Sequence, residues 1–179
     1  MKGKKSLPLG RVYRLLEPGP VVLVTTCRSG RANVMPMSWH TMIDFEPPLV
    51  GCVVSDRNHT FGNLLATQEC AINVPTADLA AEVVGCGNAS GRRIDKFKKF
   101  GLTPAAASRV VAPLIAECYA NLECKVVDAT MAEKYNFFIL KVLKAWIDPS
   151  QNSPRTLHHR GRGTFMIAGE DITLPSRKP

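Results

Sequence analysis

Residues 55–60, Ser-Asp-Arg-Asn-His-Thr, bring hydroxyls, a guanidinium and an imidazole together directly ahead of a helix-like segment. A helix N-terminus presents backbone N–H groups without internal partners, together with the positive end of the helix dipole, so a phosphate is favoured there. Arg57 can make a charge-assisted, bidentate contact to such an anion. Ser55 and Thr60 add hydroxyls. The same residues also read as a surface turn with a helix cap, and for Thr60 the two roles are compatible. His59 reads as a solvent-facing turn residue, since no carboxylate stands at short spacing to make it a general acid. A second basic stretch, Ser90-Gly91-Arg92 followed by Asp95-Lys96-Phe97, is by itself a commonplace loop entering a basic helix.

The elements that must position these groups follow from periodicity and breakers. Pro18-Gly19-Pro20 ends any preceding helix, and Val21 to Thr26 reads as a strand. Cys27 to Arg31 is turn chemistry, predicting a hairpin with Ala32 to Ser38. Within that second strand Met35, Met37 and Trp39 alternate, which by itself means packing. Leu49 to Val54, after Pro47-Pro48, reads as a buried strand, and Cys70 to Val74 as another, stopped by Pro75. Leu114 to Thr130 reads as one long or bulged strand and Phe137 to Ile147 as the last, with Met131 to Asn136 the turn between them. Helices are predicted at Phe61 to Thr67, capped by Thr60; at Asp78 to Val84, capped by Thr76 and ending at Gly85 and Gly87; and at Asp95 to Phe100. Beyond Asp148-Pro149 the chain is polar and loop-like, with one short apolar piece at Thr164 to Ala168. About six strands with helices inserted irregularly argue for a closed or partly closed antiparallel barrel over a doubly wound parallel sheet.

The chain resembles the flavin reductase-like, flavoredoxin-type family of FMN-binding split barrels. The resemblance rests on an ordered set of matches: Asn33-Val34-Met35-Pro36-Met37-Ser38-Trp39, Glu46-Pro47-Pro48-Leu49-Val50, Arg57 and Thr60, Ala71-Ile72-Asn73-Val74-Pro75, Cys86-Gly87, Ser90-Gly91-Arg92, Asp95-Lys96-Phe97, Ala112-Pro113-Leu114-Ile115 and Glu123-Cys124. They cover roughly residues 18–147. The resemblance implies one domain over residues 1–179, with 148–179 as a C-terminal extension, and a mainly β fold with peripheral helices, a six-stranded antiparallel split barrel. It also implies FMN as cofactor (FAD as the alternative), NAD(P)H as a transient electron donor, and a homodimer.

For the site, the resemblance implies polar contacts to the flavin ring from Asn33, Ser38 and Trp39 and an apolar wall of Met35, Met37 and Cys52. It assigns the phosphate to Ser55, Arg57 and Thr60, with Lys96, Ser90 and Arg92 approaching it. Phe165 is brought back towards the cofactor or the partner subunit. The flavin then supplies the chemistry, and no protein acid, base or nucleophile is expected to be essential. The expected function is an NAD(P)H-dependent flavin reductase passing electrons to free flavin or to another small-molecule or protein acceptor. A flavoredoxin-type protein reduced by a protein donor is the alternative, because no GxGxxG fingerprint is present. A non-redox module using its basic surface is a third reading.

Bulk properties agree with an ordinary globular chain of 179 residues, 45% hydrophobic and 21% charged. No apolar run is long enough to cross a bilayer, and the basic start MKGKKSLPLG has no apolar segment behind it, so a cytoplasmic location and no signal peptide are expected. The net charge of +8 is concentrated in the tails, with Lys96, Lys98 and Lys99 as a further cluster. No aromatic-interleaved basic groove accompanies it, and nucleic acid is not expected as a partner. The six cysteines include no C-x-x-C pair and four sit in apolar runs, which predicts buried, reduced thiols and no metal site. His158 and His159, being adjacent, are poorly spaced to share one metal and read as a mobile tail.

Overall fold

The computed structural model describes residues 3–16 and 19–175; Pro18 of the breaker expected before the first predicted strand, and Lys2, Arg177 and Lys178 of the basic tails, lie outside these. A short strand β1 (Lys5–Leu7) is followed by a 3-10 turn and a single helical turn α1 (Tyr13–Leu16). The expected hairpin then forms between β2 (Val22–Arg28) and β3 (Arg31–Met37). Ser29 and Gly30 close it with φ of 51° and 74°, the paired positive angles that match the twist of the two strands.

β3 passes through Ser38 and Trp39 into β4 (His40–Phe45), which returns as β5 (Pro48–Val53). After helix α2 (His59–Thr67) come β6 (Glu69–Val74), helix α3 (Ala80–Asn88) and the short helix α4 (Lys96–Phe100). Two dipeptide strands, β7 (Pro104–Ala105) and β8 (Leu114–Ile115), pair with each other. β9 (Ala120–Asp128), a helical turn α5 (Ala132–Tyr135) and the central β10 (Phe137–Ile147) follow, and β11 (Leu157–His159) pairs with β12 (Phe165–Ile167).

The main sheet is antiparallel, ordered β3-β2-β6-β9-β10-β5-β4, with β1 added to β10. Its two edge strands, β3 and β4, are consecutive in the chain. The barrel is therefore split between them, joined there by the Ser38-Trp39 corner. The mainly β class and split-barrel architecture are as expected. The strand number is not: this sheet holds eight strands where six were expected. β4 escapes periodicity because its residues are mostly exposed, an edge strand with no face committed to the core.

β2 and β3 are buried on both faces. Val22, Val24, Met35 and Met37 face the barrel interior with Ile72, Leu122 and Phe138, while Leu23 and Val34 pack beneath α3 and α4 with Val83, Cys86 and Phe97. Each fully buried aliphatic side chain contributes about 1.5–3 kcal/mol. Double-sided burial therefore gives β2 its near-continuous apolar run. All six cysteines are free and five are buried.

Several local expectations change. Leu114 to Thr130 is not one strand: Cys118 N–H turns back to the Ile115 carbonyl, separating β8 from β9. Residues 131–136 include the helical turn α5. α3 begins after a 3-10 turn and runs through Gly85 and Gly87, and Thr76 makes no side-chain cap. Gly85 is needed for close approach, because a Cβ there would lie 2.5 Å from the Phe100 ring. Asn58 stands at the N-cap of α2, and Thr60 is buried within its first turn. Asp95, expected within the last helix, instead caps α4, its carboxylate accepting from Lys98 N–H at 3.1 Å. The C-terminal extension is tied down by Val21 N–H donating to Leu157 O and Ala77 N–H donating to Arg155 O.

Candidate functional site

A groove follows β3 from Asn33 to the Ser38-Trp39 corner, made of three adjoining cavities of about 250, 430 and 260 Å3. The first two share Met35 and Asn58, and the last two share Pro36, Met37 and Ser38. β3 is an edge strand of the split barrel, so its outer side is free to border a ligand instead of another strand.

The polar end lies between the start of α2 and the loop after α3. Asn33, Arg57, Thr60, Ser90, Arg93 and Lys96 line it, with His59, Asn88 and Gly91. Asn33 Nδ2 donates to Thr60 Oγ1 at 2.9 Å, while Asn33 Oδ1 is buried without a partner. Rotating the amide exchanges its two ends, and the Thr60 hydroxyl can donate as well as accept, so Asn33 can offer an N–H to an anion. The loop comes close at Gly91, where a side chain would collide with this amide.

Lys96 carries a buried ammonium with no carboxylate among its hydrogen-bond partners: Nζ donates to Val34 O at 2.8 Å and Cys86 O at 2.7 Å. An ammonium has three protons, so one remains beyond these two carbonyls. Burial pulls the Lys96 pKa down, as expected for a cation lacking an anion. His59 is held below its ordinary range by burial and then by the charges of Arg92, Arg31, Lys96 and Arg28. A helix N-terminus, a buried ammonium, an unpaired amide and converging guanidinium groups together favour an anion at this end.

The broader middle of the groove is lined by Met35, Met37, Ser38 and Trp39 on one side and by Val53, Ser55, Asn58 and Asn136 on the other. Ser55 Oγ accepts from Arg57 N–H at 3.3 Å, and Asn136 Oδ1 accepts from Asp56 N–H at 3.2 Å, which fixes the β5–α2 turn. At the far end Phe165 and His159, from the C-terminal hairpin, face Val83 and Val84 of α3.

Of the thirteen residues singled out from the sequence, Asn33, Met35, Met37, Ser38, Trp39, Ser55, Arg57, Thr60, Ser90, Lys96 and Phe165 border this groove, and two do not. Cys52 lies 1% exposed in the barrel core. Arg92 is exposed and is not among the groove's lining residues, where Arg93 stands instead. Arg93 N–H bonds back to Ser90 O at 3.0 Å in this turn; both arginines are exposed, and the charge of Arg92 reaches His59 in the same pocket. His59 is half-buried at the cavity and not a free surface residue, and His159 belongs to a paired strand and not to a loose tail. Asn58 lies within the polar cluster noted at 55–60 without having been given a role, while Asn88, Asn136 and Val53 reach the groove through tertiary packing.

A split antiparallel barrel with an anion-favouring pocket at one end of an edge-strand groove is the architecture of flavin-binding split barrels. Residues 13–165 match the flavin reductase like domain, and the chain belongs to that family. It is 32% identical to the uncharacterized protein YddH of Escherichia coli (strain K12), with 93% of this chain and 96% of that one covered. Among solved structures it is similar to an FMN-binding domain of a flavin reductases-like enzyme from Shewanella baltica OS155, with a TM-score of 0.91 and 27% identity over 96% of this chain and 97% of that one. It shares its fold with the flavoredoxin of Desulfovibrio vulgaris (Miyazaki F), with a TM-score of 0.78 and 23% identity over 87% and 90% of the two chains. Among the described residues no helix is long and apolar enough to cross a membrane.

Proposed function

We propose that the groove holds FMN and that the protein is a flavin-dependent oxidoreductase, reduced by NAD(P)H and passing electrons to free flavin or another acceptor. The observation that carries this reading is the buried Lys96 ammonium lining one pocket with the Asn33 amide, whose Oδ1 has no partner and which can turn an N–H towards a phosphate. Bound flavin would supply two-electron and one-electron transfer. The residues of the chain hold and orient it. Arg57, Arg93, Lys96, Asn33 and the first N–H groups of α2 neutralise the phosphate. Met35 and Met37 give the ring an apolar floor, and Ser38, Asn58 and Asn136 offer hydrogen bonds to its edges.

Trp39, Ile43 and Phe45 are exposed on or beside the edge strand β4. An apolar, unpaired sheet edge supports a homodimer formed through this face. Sedimentation of the wild type against Trp39→Ser/Phe45→Ser tests that assembly, and a monomeric wild type removes it.

The deciding experiment is the visible spectrum of the protein after FMN loading and desalting, followed by anaerobic mixing with NADH or NADPH. Retained flavin bands that bleach with a nucleotide support a reductase. Retained bands that neither nucleotide bleaches point to a protein electron donor of the flavoredoxin type, and failure to retain flavin overturns the reading.

A further inference from the structure

The cavity at the far end of the groove differs in chemistry from the cationic end. Its walls are Val21, Met37, Val83 and Val84, with Phe165 on the C-terminal hairpin, and its volume is about 260 Å3. No lysine, arginine, aspartate or glutamate lines it, and His159 is its one titratable lining residue. His159 and Phe165 are cross-strand partners in the β11–β12 hairpin, with ring centroids 5.3 Å apart. The hairpin is anchored at its base by Val21 N–H to Leu157 O, by Ala77 N–H to Arg155 O and by the bridge between Thr76 and Thr156. It therefore walls one side of the slot, with the exposed His159 imidazole at its lining.

From this arrangement we infer that the slot is the acceptor site, taking an uncharged, planar, single-ring conjugated carbonyl compound of the quinone class, and that His159 delivers a proton to it. The inference rests on the flavin reading proposed above. The size suits one substituted ring, and apolar walls with one aromatic face favour a flat, uncharged molecule. No cation lines the slot itself for the phosphates of a dinucleotide; Arg160 and Arg162 stand outside it in the exposed hairpin turn. The slot adjoins the middle of the groove at Pro36, Met37 and Ser38, so a ring in it borders whatever lies along β3.

Two-electron reduction of a quinone needs one hydride and one proton. Reduced flavin, when bound, would supply the hydride, and one carbonyl oxygen would take that hydrogen with both its electrons in a new O–H bond. The ring becomes aromatic and the opposite oxygen is left as an anion. That oxygen takes the proton from the His159 imidazolium, which becomes neutral imidazole and is reprotonated by solvent. Histidine is the side chain suited to this exchange near neutral pH. Among the described residues nothing else charged lines the slot: β2, β3 and α3 contribute only uncharged residues, His158 is paired with Thr156 Oγ1 at 2.9 Å, and Arg160 and Arg162 are exposed in the hairpin turn.

The test uses duroquinone, which is fully substituted and does not add to thiols. In the flavin-free protein its titration is followed through the His159 ring protons by NMR. Saturable shifts are expected, weakened at least about tenfold in Phe165→Ala through loss of the aromatic wall. In protein loaded with FMN and reduced anaerobically, single-turnover oxidation by duroquinone is expected to slow as pH rises. In His159→Gln it should be about 100-fold slower and lose that dependence, the size of a lost general acid, with FMN retention unchanged. The inference is overturned if duroquinone leaves His159 unmoved, or if His159→Gln keeps the wild-type rate and pH profile while retaining FMN. A protein that never retains FMN would sink the parent reading, and with it the proton-delivery role, leaving the NMR titration to decide the slot alone.

Discussion

Gly91 lies where its missing side chain leaves room for the Asn33 amide: a Cβ on Gly91 would overlap Asn33 Oδ1. The loop after α3 and the edge strand β3 are thereby held in contact at the anion-favouring end of the groove, and the two sides of that pocket share one clearance. Gly91→Ala must push either the loop or the amide away. FMN affinity is expected to fall about tenfold, the value of one charge-assisted hydrogen bond, while the melting temperature changes little. Fluorescence titration of FMN checks it, and unaltered affinity would remove Asn33 from the phosphate site.

Lys96→Met should be costly to the fold as well as to binding. It leaves the Val34 and Cys86 carbonyls without their donor, at roughly 1–3 kcal/mol for each buried polar group left unpaired. The urea midpoint of the flavin-free protein should drop accordingly. Added FMN should also recover less stability than in the wild type, because ligand stabilisation follows affinity. A variant as stable as the wild type would show that the ammonium is not integrated as described.

Adjacent arginines should behave differently. Arg93 lines the polar cavity and Arg92 does not. Both side chains are exposed, so the contrast rests on which one borders the cavity: Arg93→Ala is expected to weaken FMN binding about fivefold or more and Arg92→Ala by less than about twofold. The reverse order would mean that the Ser90–Arg93 turn rearranges on binding.

His59 provides a pH readout of the same pocket. Burial and its cationic neighbours hold its pKa below the ordinary histidine value in the folded protein. The unfolded chain therefore takes up the proton first as pH falls. The stabilisation this represents is present above the ordinary histidine pKa and is lost as pH drops through the folded value. Urea midpoints between pH 7.5 and 5 should decline more steeply for the wild type than for His59→Gln, about the range in which histidine titrates. By NMR the His59 pKa should rise in Arg92→Ala and in Arg31→Ala, and rise again when phosphate occupies the site. An unchanged value in both variants would break the proposed field.

Glu123 anchors the loop before β8 and lines none of the groove. Its buried carboxylate accepts from Ser108 N–H at 2.9 Å, from Arg109 N–H and from Trp146 Nε1 at 2.8 Å. Glu123→Ala strands all three donors and should destabilise the fold by about 3 kcal/mol or more. FMN affinity measured well below the melting temperature should be unaffected. Chemical denaturation separates the two readouts.

The sequence by itself determined what rests on neighbours along the chain. The Ser29-Gly30 hairpin, the short helix after Asp95 and the β-branched runs of β2, β5 and β6 were legible because turn chemistry and periodicity act over a few residues. The mainly β barrel followed from them, and most groove residues were legible through an ordered set of short motifs. Only tertiary structure decided the rest. β4 gave no periodic signal because an edge strand commits neither face to the core. α3 runs through Gly85 because Phe100, fifteen positions later, needs the space. Cys52 points into the barrel, Arg93 takes the place expected of Arg92, and the Lys96 ammonium divides between carbonyls of β3 and α3. Each of these depends on contacts between elements distant in sequence, where packing and hydrogen-bond geometry, not local preference, set the direction of a side chain.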